Sequence, residues 1–144
     1  MFKQILAGTD GSDTAEKALG RAIDLAAEDG ATLNVITAYH LGARRAPRDG
    51  DVPRDVRHQV GALEDVNLVL ANAASRARSA GVEVKTQAIK GDASEAILDA
   101  ADRAGADLIV VGSKGMSGAR RFLGSVPNHV SHHASCTVMI VNTA

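Results

Sequence analysis

The residues best suited to chemistry lie in one glycine-rich stretch, GSKGMSGARRFLGS, residues 112–125. Gly112 and Gly115 let the backbone turn sharply and bring bare N–H groups close to a ligand, because no Cβ intervenes. Gly124 and Ser125 then open a predicted helix, whose unpaired N–H groups and positive dipole end attract an anion. The stretch therefore predicts a phosphate-binding site. The alternative is a flexible loop followed by ordinary helix capping, since glycine-rich loops are common.

A second polar segment, GTDGS at residues 8–12, follows the first apolar run of the chain. The carboxylate of Asp10 can accept hydrogen bonds from a ribose hydroxyl or an adenine amino group. Its alternative role is to cap the first helix. Because a carboxylate repels phosphate, we expect Asp10 at the nucleoside end of a ligand. The cations of the glycine-rich stretch either add to the phosphate site or remain solvated: Lys114, Arg120 and Arg121.

Five short apolar runs predict the strands that position these segments, at residues 2–8, 33–39, 82–89, 107–112 and 137–141. The first, fourth and fifth runs are nearly continuous, as expected for parallel strands covered on both faces. Their alternation with helical patterns predicts an α/β fold, a Rossmann-like open parallel five-stranded sheet with helices on both faces. We expect one domain, residues 1–144.

Four helices are predicted between the strands from periodicity and capping signals. The first begins at the capping-box-like pair Asp13 and Glu16 and stops at Gly30. The second runs from about Arg57 to Ala80. The third and fourth begin at Asp92 and at Ser125, and Gly105 ends the third. A proline- and glycine-containing segment, residues 41–55, predicts a mobile loop after the second strand.

These features place a ligand at one edge of the predicted sheet. In open α/β sheets ligands bind beyond the carboxyl ends of the strands, where the strand order reverses. Residues 8–12, the root of the 41–55 loop and residues 112–125 all follow strands and meet at that edge.

Composition excludes several other classes of function. A net charge of −1 and only 2% aromatic residues argue against a nucleic-acid partner. No apolar run approaches the roughly 18 to 20 residues of a membrane span, so we expect no membrane partner. The single cysteine and the charged, strand-like N-terminus favour a cytoplasmic location.

Histidines and the cysteine cluster in HVSHHASC, residues 129–136. His129, His133 and Cys136 have a spacing at which Zn²⁺ can be bound. The alternative is a polar helix face leading into a buried strand, with Cys136 acting as a small apolar residue. We favour the alternative and expect no metal.

Taken together, TDGS and the pattern Gly112-x-x-Gly115 followed by Gly124-Ser125 resemble the universal stress protein family, in its nucleotide-binding type. The resemblance covers essentially the whole chain. It implies that Asp10 and the backbone of Ala38 hold the adenine and ribose. It implies that phosphates bind at the backbone of Gly112, Gly115, Gly124, Ser125 and Val126, with help from the Ser125 hydroxyl. Eight residues separate the second and third glycines, against nine in the family's pattern, which tightens the loop.

The resemblance implies a sensor or regulator of the stress response that binds ATP, with Mg²⁺ as a companion of the triphosphate. AMP or cyclic AMP is the rival ligand, because the GSVPN stretch resembles members that prefer the cyclic nucleotide. A further alternative is a protein-interaction module with a vestigial pocket. We identify no catalytic residues and expect at most slow, incidental ATP hydrolysis.

The resemblance also implies a homodimer. The last predicted strand, TVMIV, would otherwise leave an apolar edge exposed. We expect antiparallel pairing of two copies through Val138–Val141.

Overall fold

Strands and helices alternate along the whole computed structural model, which describes residues 1–40, 52–113 and 125–143, with the backbone alone for residues 52–63. In chain order the elements are β1 (Gln4–Gly8), α1 (Asp13–Asp29), β2 (Thr32–Tyr39), α2 (Val52–Ser79), β3 (Glu83–Lys90), α3 (Ala93–Ala104), β4 (Leu108–Gly112), α4 (Ser125–His133) and β5 (Thr137–Val141). Each predicted strand is present, with bounds that shift by at most two residues.

The five strands form one parallel sheet in the order β3-β2-β1-β4-β5. The chain starts at the central strand β1, moves outward through β2 to β3, and then crosses to β4 on the other side of β1. The strand order therefore reverses between β1 and β4. The predicted α/β class, a Rossmann-like open parallel five-stranded sheet with helices on both faces, is confirmed.

Two apolar cores lie on opposite faces of this sheet. Ile5 and Ala7 of β1 point to the core under α1 and α2, whereas Leu6 points to the core under α3 and α4. The helices bury mainly alanines, such as Ala18 and Ala22 in α1, so they approach the sheet closely. Along the described residues, no helix has the length and apolar character needed to cross a bilayer.

The helix signals were predicted well, with one correction. Gly30 and Gly105 end α1 and α3 in the left-handed conformation, and Asp92 caps α3 by accepting a hydrogen bond from the N–H of Glu95.

The capping-box prediction for Asp13 and Glu16 was wrong, because the N-cap of α1 is Ser12. The hydroxyl of Ser12 accepts a hydrogen bond from the N–H of Ala15, which is the geometry that stabilises a helix start.

The predicted loop 41–55 also needs correction. Helix α2 begins at Val52, about five residues before the predicted start, so residues 52–55 are helical. The remainder of that loop, residues 41–51, lies outside the described residues.

Candidate functional site

A cleft of about 490 Å³ opens at the carboxyl ends of β1 and β4, where the strand order reverses. This size is typical of small-molecule sites, and the position is the one at which open α/β sheets bind ligands. Its walls are largely apolar, with hydroxyls and one carboxylate at the rim. The lining residues are Gly8, Thr9, Asp10, Ser12, Thr14, Ala15, Ile36, Ala38, Ala93, Ile97, Val111, Gly112, Val126, Pro127 and Thr143.

The loop between β1 and α1 forms one rim and is held by its own side chains. The hydroxyl of Thr9 accepts a hydrogen bond from the N–H of Gly11 at 3.1 Å, and Oδ1 of Asp10 accepts one from the N–H of Ser12 at 2.9 Å. The hydroxyl of Ser12 in turn accepts from the N–H of Ala15 at 3.2 Å. These local bonds fix the loop before any ligand arrives.

Asp10 does not have its alternative role as the cap of α1. Ser12 is the N-cap, and the Asp10 carboxylate closes a turn at the exposed rim of the cleft. A carboxylate in that position is available to hydrogen-bond donors of a ligand.

Gly11 couples this rim to helix α2. Its φ is +83°, a conformation that residues with a Cβ rarely adopt. A Cβ at this position would also stand 2.7 Å from Cγ2 of Val69. Only glycine therefore satisfies both the turn and the packing against α2.

A polar network links the same rim to helix α2. The Thr9 hydroxyl lies 3.5 Å from Oε2 of Glu16, whose other oxygen accepts a 2.6 Å bond from the Arg76 guanidinium of α2. Both members of the ion pair are partly exposed, so its contribution to stability is small. The ion pair joins the loop between β1 and α1, and the first turn of α1, to helix α2.

The opposite wall is built by β4, α4 and the residues after β5. Beyond Gly112, the N–H of Ser113 donates to the carbonyl of Val141 at 2.8 Å, and the N–H of Thr143 donates to the Ser113 hydroxyl at 3.2 Å. A Cβ on Gly112 would stand 3.3 Å from Cγ2 of Thr143. The residues that follow β5 are thus packed beside the first glycine of the glycine-rich stretch.

Helix α4 begins at the mouth of the cleft. Ser125 is its first residue and is exposed, and the next residues, Val126 and Pro127, line the cleft. The first turn of α4 contains no acidic residue. The partial positive charge of this helix end is therefore not cancelled by its own first turn.

The structure brings together four of the residues predicted from the sequence. Asp10, Ala38, Gly112 and Val126 all line the cleft, although more than a hundred residues separate the first from the last. Ser125 adjoins the cleft through its neighbour but is not one of the lining residues. The other predicted positions lie outside the described residues: Gly115, Gly124, Lys114, Arg120 and Arg121.

Several lining residues were missed by the sequence reasoning. Ile36, Ile97 and Val111 look like ordinary core positions, and no local signal separates a buried strand end or a buried helix position from the wall of a cleft. Thr143 belongs to no motif and to no predicted strand or helix, so sequence reasoning did not place it in the site. Its hydroxyl is buried and has no hydrogen-bond partner within the described parts of the chain, a property shared with Thr37.

The histidine segment forms a stacked pair on α4. The rings of His129 and His133 lie 4.2 Å apart at 22°, and Nε2 of His129 is 3.5 Å from Glu95 of α3. Cys136 packs against the α3 and α4 core, where burial raises the pKa of its thiol. In the ranges that the structure describes, no three His, Cys, Asp or Glu side chains converge as a metal site would require.

Fold and cleft together define an open, doubly wound α/β protein with a cleft of about 490 Å³ at its switch point. The chain belongs to the universal stress protein family, whose model matches residues 1–142. The resemblance seen in the sequence is therefore confirmed. The chain is 38% identical over 144 residues to "Universal stress protein Rv1636" of Mycobacterium tuberculosis, a match that covers 99% of this chain and 97% of that protein.

Two solved structures of similar proteins contain nucleotides. A universal stress protein crystallised in complex with cAMP is 32% identical, with a TM-score of 0.75, and the match covers 99% of this chain and 98% of that one. A universal stress protein from Archaeoglobus fulgidus in complex with dAMP is 25% identical, with a TM-score of 0.70 and coverage of 96% of each chain.

Proposed function

We propose that this protein binds an adenine nucleotide in the cleft between β1 and β4 and acts as a cytoplasmic, nucleotide-responsive regulator in the stress response. The observation that carries the proposal is the convergence of Asp10 and Ala38 with Gly112 and Val126 around one cleft of about 490 Å³. The cAMP and dAMP found in similar proteins support it.

The chemistry of the cleft gives the ligand an orientation. The apolar residues Ile36, Ala38 and Ile97 offer a surface for a planar base, and Asp10 at the rim accepts hydrogen bonds from the nucleoside. Phosphates then extend toward Gly112 and the start of α4, where backbone N–H groups and the helix dipole favour negative charge. Gly115, Gly124 and the Ser125 hydroxyl complete the phosphate site in this proposal.

ATP and cyclic AMP are the two candidate ligands. ATP is the ligand that the glycine-rich pattern implies, with Mg²⁺ neutralising part of its charge. Cyclic AMP is favoured by the 32% identical relative that holds it. Mg²⁺ separates the two, because a triphosphate coordinates the cation whereas a cyclic monophosphate gains little from it.

The test is a calorimetric titration of the purified protein with ATP, AMP and cyclic AMP, each with and without Mg²⁺. Micromolar binding, about −8 kcal/mol, to at least one of them is the expected result. Absence of binding at millimolar concentration of all three would contradict the proposal and favour the interaction-module alternative.

Asp10→Asn locates the ligand within the cleft. Asparagine keeps the turn, because its side-chain oxygen still accepts from Ser12, but it removes the charge that strengthens a hydrogen bond from the nucleoside. We expect affinity to fall about fivefold to tenfold, the effect of roughly 1 kcal/mol. The matched control is Asp13→Asn, an equal loss of charge at an exposed residue that does not line the cleft. Equal effects of the two changes would count against a contact at Asp10.

We further propose a homodimer that pairs two copies through β5, residues Val138–Val141. This strand lies at one edge of the sheet, and all four residues are only partly buried although they are apolar. The other edge, β3, carries Glu83, Lys85 and Lys90 as exposed charges. Charges of this kind protect an edge from pairing, and β5 lacks them.

A further inference from the structure

Thr143 lines the cleft with a buried hydroxyl. The residue is 3% exposed, and its Oγ1 has no hydrogen-bond partner among the residues that the structure describes. Buried hydroxyls in folded proteins are nearly always paired, so an unpaired one calls for a physical reason. A ligand that supplies the missing acceptor is such a reason.

Hydrogen bonds hold the backbone of this residue beside the end of β4, which leaves its side chain as the part that reorients. The N–H of Thr143 donates to the Ser113 hydroxyl, and the N–H of Ser113 donates to the carbonyl of Val141. These two bonds hold the chain after β5 against the end of β4. These backbone bonds place the Thr143 Cβ beside Gly112.

The methyl group of Thr143 occupies the side nearest the glycine. Its Cγ2 lies 3.3 Å from the point where a Cβ of Gly112 would stand, and Gly112 lines the cleft. A rotation of about 120° around the Cα–Cβ bond of threonine moves the hydroxyl into the staggered position that the methyl held, and the methyl into the position of the hydrogen. One such rotation turns the hydroxyl from its unpaired position toward Gly112 and the cleft.

We propose that Thr143 is a nucleotide-binding residue whose hydroxyl rotates toward Gly112 and donates a hydrogen bond to a phosphate oxygen of the bound nucleotide. A phosphate is the acceptor because Gly112 begins the segment to which the phosphates are assigned above. This inference rests on the proposed function. A buried hydroxyl with no partner among the described residues destabilises the free protein, and binding relieves that cost, so the residue contributes to affinity.

The test is Thr143→Val, which keeps the shape and the methyl group and removes only the hydroxyl. Because the buried hydroxyl has no partner in the part of the chain that the structure describes, the free variant should melt at a higher temperature than the wild type. Its affinity for whichever of ATP and cyclic AMP the wild type binds should fall about tenfold, as for a hydrogen bond to a charged group. If Thr143 has only a structural role, Thr143→Val raises the melting temperature and leaves the nucleotide affinity unchanged.

Thr37→Val is the matched control. Thr37 is also 3% exposed, and its hydroxyl is likewise unpaired within the described ranges, but it does not line the cleft. We expect this change to raise the melting temperature and to leave nucleotide affinity within a factor of two.

Thr143→Ser restores the hydroxyl and should recover affinity to within about threefold of the wild type. The ³¹P resonance of the saturating nucleotide gives a second readout. It should differ between the Thr143→Ser and Thr143→Val variants, since only the serine side chain can donate to the phosphate.

The outcomes separate the two proposals. Wild-type protein that binds nucleotide, together with a Thr143→Val variant of unchanged affinity, overturns the role of Thr143 and leaves the proposed function standing. Equal losses of affinity in the Thr37 and Thr143 variants overturn it as well. Wild-type protein that binds none of ATP, AMP and cyclic AMP overturns the proposed function and the role of Thr143 with it.

Discussion

Replacing Gly11 by alanine should destabilise the protein more than an ordinary glycine replacement, for two separable reasons. The φ of +83° places the new side chain in a left-handed conformation, which costs about 1 kcal/mol. The new Cβ would also stand 2.7 Å from Cγ2 of Val69, with two more atoms of that side chain within 3.7 Å. Valine in a helix has one strongly preferred rotamer, so it cannot swing away cheaply.

Overpacking of this kind costs about 2 kcal/mol, so the total expected loss is about 3 kcal/mol. In a chain of this size that loss lowers the melting temperature by roughly 10 °C. The assay is denaturant unfolding followed by circular dichroism, with thermal melts as a second readout.

Gly30→Ala is the matched control. Its φ of +67° imposes a similar backbone cost, but no atom of the described residues lies within 4 Å of the new Cβ. The difference between the two variants therefore measures the clash with Val69, about 2 kcal/mol. A second change, Val69→Ala in the Gly11→Ala background, should remove much of that difference. Equal losses in the Gly11 and Gly30 variants would refute the packing argument.

Three further predictions concern capping, acid stability and assembly. Asp92→Ala should lower the free energy of unfolding by about 1 kcal/mol, and Asp92→Asn should not, because asparagine also caps helices. Burial raises the pKa of the Asp107 carboxyl, but hydrogen bonds from the N–H groups of Lys3 and Gln4 outweigh it and the pKa is lowered. The charged carboxylate therefore stabilises the fold fully above about pH 4, the pKa of Asp in the unfolded chain. This stabilisation is lost as the pH falls through the lowered pKa of the folded state. Asp107→Asn should therefore flatten the acid side of a plot of unfolding free energy against pH. Ile140→Lys should yield a folded monomer in light scattering while Gln87→Lys on the opposite edge stays dimeric; a monomeric wild type at micromolar concentration would contradict the proposed dimer.

The elements of the fold could be predicted because their signals are local. A nearly continuous apolar run such as residues 108–112 has few structures open to it other than a buried strand, and Gly30 and Gly105 end helices because of their own backbone freedom. Errors arose where two neighbouring residues offered the same chemistry. Asp13 and Ser12 both suit a helix start, and the choice depends on the turn that Asp10 closes just before it.

The candidate site was predicted in part, for a related reason. Glycines and a carboxylate at strand ends are visible in the sequence, and parallel topology brings strand ends to one edge. Thr143 was invisible, because its place beside Gly112 depends on β5 lying next to β4 and on the bonds through Ser113. Side chains that meet only after the sheet has formed leave no periodic trace in the chain.

By itself, then, the sequence determined the five strands, the presence of the four helices and the family, since these follow from hydrophobic period, glycine placement and motif spacing within short segments. The tertiary structure alone decided that Ile36 and Ile97 wall the cleft, and that Gly11 must face Val69. It alone buried the Thr143 hydroxyl with no acceptor among the described residues. The physical reason is that contacts between distant segments are set by strand order and close packing, which no local pattern records.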